Sequence, residues 1–239
     1  MDLEKALGLI AEVPDFPEPG VLFRDLSPLF ADAAAFRAVT DALAESIGPE
    51  VEALAGVEAR GFLLAAAVGH ARGLGVVLIR KPGKLPRVAG RVDYALEYGT
   101  ATVELPAGIV RPGQRIAVLD DVLATGGTVA ATGKLLEDAG AVVDSVSVVI
   151  ELAALGGRAV LGDRQVNALQ LTFRTSGACF GSPCGVCLVC GVGGGGDVEQ
   201  VEDLLLEGAE FGFEGLQELA VVVQFVAGEV CEDGEDSFG

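Results

Sequence analysis

Histidine is nearly absent from this chain, since His70 is the only one among 239 residues. It lies late in a predicted helix, beside a glycine, and we interpret it as a structural residue. Histidine is the side chain that most often exchanges protons near neutral pH. A catalytic mechanism in this chain is therefore expected to use carboxylates instead of imidazole.

Long apolar runs and basic stripes are also missing. Hydrophobic residues make up 51% of the sequence, yet no run of 18 apolar residues occurs, so no membrane segment is expected. The first residues include acids and lack the architecture of a signal peptide, which predicts a cytoplasmic location. Basic residues cluster only in Arg80–Arg91, so nucleic acid is not an expected partner.

Positive charge is absent from the last quarter of the chain. All 16 lysines and arginines lie at or before Arg174, while 13 of the 35 acids follow it. All five cysteines also follow Arg174. This change in composition predicts a domain over residues 1–174 and an acidic, Cys- and Gly-containing extension over residues 175–239.

The most informative stretch is Arg115–Gly133, which reads RIAVLDDVLATGGTVAATG. Its apolar start predicts a buried strand over Ile116–Leu119, with Asp120 and Asp121 at the end of that strand. A helix is predicted from Val129 to about residue 139. The loop between them consists of small residues: Ala124, Thr125, Gly126, Gly127 and Thr128.

Such a loop can bind a phosphate group through its backbone. Glycines let several amides turn toward one point, and a helix N-terminus adds unsatisfied N–H groups and partial positive charge. The two aspartates suit sugar hydroxyls or Mg²⁺, which prefers a few oxygens together with water and substrate phosphates. Together these features predict a site for a phosphorylated ribose.

Strands and helices alternate along residues 1–174. We expect an α/β fold with a parallel sheet and helices on both faces, and ligands at the carboxyl edge of the strands. The predicted strands cover residues 54–57, 75–79, 116–119, 142–150 and 166–173. The predicted helices cover residues 3–13, 34–47, 61–72 and 129–139.

The motif VLDDVLATGGT resembles the phosphoribosyl-diphosphate signature of type I phosphoribosyltransferases. The segment PDFPEPGVLFRDLSPLF is similar to the base-binding region of the adenine phosphoribosyltransferases within that family, and the resemblance covers about residues 7–173. It implies a type I fold with a small N-terminal hood over about residues 1–30 and a mobile flap over about residues 82–105. It also implies a homodimer that uses Mg²⁺ and transfers a 5-phosphoribosyl group from its diphosphate donor to adenine.

The resemblance assigns roles to individual residues as well. Asp120 and Asp121 match the acids that hold the ribose, and the loop 124–128 matches the 5-phosphate site. The flap contributes Glu97 as the acid/base and Tyr98 as a closing aromatic. The remaining matches are base-binding residues Leu22, Phe23, Arg24 and Leu152, and the diphosphate ligand Arg60.

A basic loop precedes the flap. Four cations occur within eight residues, from Arg80 to Arg87, and are interrupted by Pro and Gly. Beside two other loops of phosphate-binding type, this pattern favours contact with an anion over a solvated loop. Arg80 and Lys84 are the candidate ligands.

Two alternative functions remain open from the sequence. A transferase for xanthine or for 6-oxopurines is one, although enzymes for hypoxanthine and guanine typically carry Asp where this chain has Ala124. The other is a non-catalytic regulator that senses phosphoribosyl diphosphate. Such regulators often lack the flap glutamate, which is present here as Glu97, and usually carry a DNA-binding domain, of which this chain shows no sign.

The resemblance does not extend into the extension. Four cysteines there have spacings that imitate a plant-type iron–sulfur pattern and could also bind zinc. However, a plant-type cluster takes its fourth cysteine from far away, and zinc sites usually have two separated pairs. We therefore expect a poorly ordered or non-native extension, such as a frame-shifted continuation, with a metal site as the alternative. Its candidate ligands are Cys179, Cys184, Cys187 and Cys190.

Overall fold

The computed structural model of the protein describes residues 1–17, 19–95 and 100–173. Several predictions concern residues outside these ranges: the extension 175–239, Glu97, Tyr98, Cys179, Cys184, Cys187 and Cys190.

The described residues alternate between helices and strands, as the sequence predicts. The helices are α1 (Leu3–Leu7), α2 (Ser27–Ala31), α3 (Ala33–Ser46), α4 (Gly61–Arg72), α5 (Gly127–Asp138) and α6 (Gly157–Val160). The strands are β1 (Ala11–Pro14), β2 (Leu22–Asp25), β3 (Ala53–Val57), β4 (Gly75–Ile79), β5 (Val88–Ala95), β6 (Thr100–Pro106), β7 (Arg115–Leu123), β8 (Val142–Leu152) and β9 (Gln165–Thr172). None of the helices within these ranges has the length and apolar character needed to cross a membrane.

A five-stranded sheet forms the centre of the fold. Its strand order is β4-β3-β7-β8-β9, and every neighbouring pair is parallel. All five residues of β3 are buried, as expected for a strand covered on both faces. The predicted α/β class with a central parallel sheet is therefore confirmed.

Alternate side chains of the sheet face two separate cores. Leu54 on β3 and Leu119 on β7 pack in the core that contains the buried residues of α3 and α4. Ala55 and Val118, one residue away on the same strands, pack in the core that contains Leu135 of α5. Because strand side chains alternate in direction, the helices cover both faces of the sheet.

The N-terminal segment differs from its prediction. Helix α1 ends at Leu7, and Ala11–Pro14 forms β1, which pairs antiparallel with β2. The predicted helix over residues 3–13 is therefore wrong after its first turns. The ladder between β1 and β2 supplies backbone hydrogen bonds to residues whose apolar spacing alone suggested a helix.

Strands β5 and β6 form an antiparallel pair within the predicted flap. Arg80, just after β4, is bridged to Glu104 of β6, and each of these two residues donates a backbone hydrogen bond to the other. The antiparallel pair therefore starts from the carboxyl edge of the central sheet, beside β4.

Candidate active site

Asp120 and Asp121 lie inside strand β7. The predicted end of the strand at Leu119 is wrong by four residues, because β7 continues to pair with β8 as far as Leu123. Asp121 is buried, with its side chain 6% exposed. Its backbone N–H donates to Asp120 Oδ1 at 2.9 Å. The strand thus holds two carboxylates close together at its carboxyl end.

Arg60 is the cation that faces these acids. Its Nε lies 2.7 Å from Asp121 Oδ2, although that oxygen accepts no hydrogen bond of good geometry among the described residues. The contact is therefore mainly electrostatic. Helix α4 begins directly after Arg60 with Gly61, where a Cβ would lie 2.7 Å from the carbonyl oxygen of Leu119. A glycine here lets the start of α4 approach β7 and places Arg60 beside the acids.

Asp121 influences the ionisation of Asp120. Burial and the negative charge of Asp121 raise the pKa of Asp120 well above its ordinary value, and Arg60 opposes this only in part. A second positive group, or hydroxyl donors, would favour the ionised form of Asp120. The pair is thus arranged to receive a cation or a diol.

The loop after β7 has the geometry of an anion site. Helix α5 starts at Gly127, and no described side chain caps its N-terminus, so backbone N–H groups of its first turn are left for a ligand. Gly126 has φ +80°, a conformation that other residues rarely adopt. The Thr128 hydroxyl lies 3.1 Å from the hydroxyl of Tyr94 on β5, which ties the loop to the flap.

Strand β2 forms the opposite wall. The ring of Phe23 packs edge-on against Phe16, with centroids 5.1 Å apart, and the Arg60 guanidinium lies 5.8 Å from the Phe23 centroid. Arg24 forms an ion pair with Glu12 of β1. Within the described residues β2 pairs only with β1, so its other edge has backbone donors and acceptors available to a ligand.

These elements surround one cavity of about 560 Å³. Nine residues singled out from the sequence line it: Leu22, Phe23, Arg24, Arg60, Asp120, Asp121, Ala124, Thr128 and Leu152. Sequence reasoning missed Val21, Val57, Glu58, Ala59, Lys81, Tyr94, Ala101 and Val122. Val21, Ala59, Lys81 and Val122 are immediate neighbours of predicted residues, whereas Val57, Glu58, Tyr94 and Ala101 are not.

The three remaining loop residues lie at the end of β7 without lining this cavity. Thr125 is exposed, Gly126 is buried, and Gly127 begins α5. The phosphate-type loop therefore adjoins the cavity through Ala124 and Thr128.

Arg80 and Lys84 converge on a glutamate that the sequence did not single out. Glu58 Oε2 lies 3.1 Å from Arg80 Nε and accepts the Lys81 N–H at 2.7 Å, while Glu58 Oε1 accepts from Lys84 Nζ at 2.9 Å. Burial alone would raise the pKa of Glu58, but these hydrogen bonds outweigh it and lower the pKa to about 2. The cations expected to meet an anion are thus paired with an ionised carboxylate at the cavity wall.

Comparison with known proteins agrees with this geometry. The profile of the family described as "Phosphoribosyl transferase domain" matches residues 27–160. The chain is 60% identical to the adenine phosphoribosyltransferase of Saccharopolyspora erythraea over 168 residues, which cover 70% of this chain and 91% of that protein. It belongs to the adenine phosphoribosyltransferase family. A second family member, from Renibacterium salmoninarum, is 55% identical over 166 residues, which cover 70% of this chain and 91% of that protein.

Solved structures of adenine phosphoribosyltransferases share the fold. The enzyme from Thermoanaerobacter pseudethanolicus superposes with a TM-score of 0.68 at 42% identity, covering 71% of this chain and 99% of that one. The enzyme from Saccharomyces cerevisiae, solved in complex with an imino-altritol bisphosphate and adenine, gives a TM-score of 0.66 at 33% identity and covers 70% and 97% of the two chains. The type I phosphoribosyltransferase fold is therefore confirmed.

Proposed function

We propose that this chain salvages purines by transferring the 5-phosphoribosyl group of 5-phosphoribosyl 1-diphosphate to adenine, which gives AMP and diphosphate. The observation that carries the proposal is the meeting of a phosphate-type loop, two ribose-type acids and an aromatic wall at one cavity. Neither a 6-oxopurine transferase nor a donor-sensing regulator is favoured by any feature of this cavity.

The donor is assigned to the β7 side of the cavity. The N–H groups around 124–128 would hold the 5-phosphate, and Asp120 and Asp121 would hold the ribose hydroxyls. As the bond from C1 to diphosphate loosens, positive charge develops on the ribose ring, and the two carboxylates stabilise that charge. Because both aspartates are held in a paired strand, they need to move little when this charge develops.

The diphosphate leaving group is assigned to Arg60, Arg80 and Lys84. Arg60 already lies at the acids, whereas Lys84 and Arg80 are held by Glu58. A bound diphosphate would compete with the Glu58 carboxylate for these cations. Donor binding is therefore expected to redistribute ion pairs around Glu58 without moving the sheet.

The base is assigned to the β2 wall. Phe23 would stack on adenine, Leu152 would close over it from the end of β8, and the free edge of β2 around Arg24 would bind the purine edge. Glu97 would exchange a proton with the purine, and Tyr98 would close the flap and exclude water that otherwise hydrolyses the donor. Both flap roles rest on the family resemblance.

Mg²⁺ fits this site as a substrate-bound ion. Asp120 and Asp121 crowd two carboxylates together. Burial and the negative charge of Asp121 raise the pKa of Asp120, and a nearby cation would oppose that rise. No group of three His, Cys, Asp or Glu side chains suited to a metal occurs within residues 1–17, 19–95 and 100–173. Donor oxygens and water would therefore supply most ligands. When bound, the ion neutralises the charge of the diphosphate.

Two further proposals concern assembly and location. The family resemblance implies a homodimer, in which a partner subunit completes the site. A cytoplasmic location is the second proposal and does not rest on that resemblance. Sedimentation of the purified protein at several concentrations tests the dimer: a mass twice that of one chain is expected, and a strictly monomeric active protein would contradict it.

Release of diphosphate tests the proposed reaction. Mixing phosphoribosyl diphosphate, Mg²⁺ and adenine with the protein is expected to release diphosphate in proportion to the adenine consumed, with little release when adenine is omitted. A regulator would instead bind the donor and release nothing, which would contradict the proposal.

Asp121→Asn is expected to lower kcat by about 10²–10³, the range for loss of one electrostatic group that acts in the transition state. The melting temperature should change little, because losing the attraction of Arg60 is offset by relief of the repulsion with Asp120. Arg60 is 42% exposed and can turn to water. Steady-state kinetics and thermal unfolding of the same samples measure both effects.

Asp144→Asn is the matched control, since Asp144 forms a comparably buried ion pair with Arg115 and does not line the cavity. Its kcat is expected to equal that of the unmodified protein. If Asp121→Asn melted much earlier while keeping its kcat, Asp121 would have a structural role.

Removal of residues 175–239 is expected to leave kcat/KM for adenine within about three-fold, because an α/β domain of this size can bury its own core. The truncated protein should also be more soluble, because the removed segment contains all five cysteines of the chain, and free thiols can cross-link molecules when they are oxidised. Kinetics of the full chain and of residues 1–174 are compared. Stoichiometric zinc or iron in the full chain, whose removal abolishes activity, would favour the metal site instead.

A further inference from the structure

An ion pair between a buried carboxylate and a half-exposed arginine lies behind the phosphate-type loop. Glu151, the penultimate residue of β8, has a side chain only 5% exposed. Its two carboxylate oxygens accept hydrogen bonds from Nε and Nη2 of Arg158 on α6, the first at 3.0 Å. Arg158 Nη1 also donates to the carbonyl oxygen of Val166 on β9 at 3.0 Å. Arg158 is thereby fastened to two strands of the central sheet.

The residue before Arg158 touches the loop directly. A Cβ on Gly157 would lie 2.0 Å from the carbonyl oxygen of Ala124 and 3.0 Å from the backbone nitrogen of Gly126. Conversely, a Cβ on Gly126 would lie 2.4 Å from the carbonyl oxygen of Gly157. The two backbones are therefore packed against each other with no room for a side chain at either glycine.

Helix α6 cannot hold this contact by itself. It comprises only Gly157–Val160, four residues, and a single helical turn is not stable in isolation. Gly156, just before it, has φ +64°, so the chain turns sharply into α6. The bonds from Arg158 to Glu151 and Val166 attach this turn to the sheet, together with Leu161, which directly follows α6 and packs in the core.

We propose that Glu151 and Arg158 are positioning residues for the 5-phosphate, acting through Gly157 on the loop 124–128. The ion pair sets the position of α6, the Gly157 backbone supports Ala124 and Gly126, and the supported loop directs its N–H groups at the phosphate. The inference rests on the proposed function, because only there is the loop assigned to the 5-phosphate.

Gly157→Ala tests the contact without changing the ion pair. The added methyl group must displace the Ala124 carbonyl, and misplacement of binding groups by about 1 Å can cost up to about 10²-fold. We expect KM for phosphoribosyl diphosphate and the dissociation constant of ribose 5-phosphate, measured by calorimetry, to rise at least about ten-fold. KM for adenine should stay within about three-fold, because the β2 wall is untouched.

A double variant, Glu151→Leu with Arg158→Met, tests the ion pair itself. Replacing both partners by apolar residues leaves no unpaired buried charge, so folding is expected to survive. The same rise in donor KM and in the ribose 5-phosphate dissociation constant is predicted. The matched control is Glu137→Leu with Arg164→Met, which removes an ion pair of 2.7 Å between α5 and the turn after α6 and is expected to change neither constant.

The outcomes separate this inference from the proposed function. Unchanged ribose 5-phosphate binding in both test variants would overturn the positioning role, whatever the activity. A rise in KM for adenine in place of KM for the donor would also overturn it, since the pair would then act through the neighbouring Leu152. Normal ribose 5-phosphate binding by the unmodified protein, together with a failure to form AMP, would refute the proposed function. In that case, weakened ribose 5-phosphate binding by both test variants would still support positioning.

Discussion

The kcat/KM for adenine is expected to exceed that for hypoxanthine by about 10⁴-fold. This is the discrimination expected of a site that hydrogen-bonds a donor group of its substrate when an analogue carries an acceptor at the same position. The exocyclic amine of adenine is a donor, whereas hypoxanthine has a carbonyl acceptor at the same place. Leu22, Phe23 and Arg24 line the cavity on β2, whose free edge supplies backbone acceptors. An acceptor facing a carbonyl would be left desolvated and unpaired.

The residue before the phosphate-type loop supports the same preference. Ala124 lines the cavity and has no polar atom beyond its backbone, so it cannot meet a purine nitrogen as an aspartate would. Initial rates for both bases at one saturating donor concentration give the ratio of kcat/KM. Equal values for adenine and hypoxanthine would show that the β2 edge does not distinguish the two bases.

Glu97→Gln is expected to lower kcat by about 10²–10⁴, the usual effect of removing one acid/base group. The amide keeps the size of the side chain but cannot exchange a proton with the purine. Affinity for phosphoribosyl diphosphate should be nearly unchanged, because the donor is assigned to the β7 side of the cavity. Rapid-quench kinetics and calorimetric donor binding measure the two quantities separately.

Asp93→Asn serves as the control for Glu97→Gln. Asp93 is an exposed carboxylate on β5 of the same flap and accepts a hydrogen bond from Thr102 at 2.6 Å. Its neutralisation removes the same charge without touching the cavity and should leave kcat unchanged. A loss of donor affinity in Glu97→Gln as large as its loss of kcat would make Glu97 a binding residue.

Local sequence patterns predict the strands of the central sheet but do not predict where each strand ends. The apolar runs at β3 and β4 predict those strands within one residue, because short continuous apolar runs are typical of strands in parallel sheets, although β4 lies at the sheet edge and is partly exposed. Strand β7 runs past Leu119 through two aspartates, since its ladder with β8 continues to Leu123. That pairing joins residues about 28 positions apart in the chain, so the periodicity of one short segment cannot predict it.

The candidate site was also predictable only in part. Arg60 and Asp120 line one cavity because they lie at the carboxyl ends of β3 and β7, which meet at one edge of the central sheet. Phe23 lines the same cavity from β2, which pairs with β1 in a separate two-stranded sheet. The pairing of Lys84 with Glu58 could not be predicted, since it joins side chains on different loops. The burial of Asp121 likewise depends on Arg60 and α4 packing against it.

Competition between bases tests the central claim most directly. The protein is incubated with phosphoribosyl diphosphate, Mg²⁺ and equal concentrations of adenine, hypoxanthine, guanine and xanthine, and the nucleotides formed are separated and quantified. The account predicts AMP and diphosphate in equal amounts, with the other three bases recovered almost unchanged. A product dominated by a 6-oxopurine nucleotide, or recovery of intact donor with no nucleotide, would contradict it.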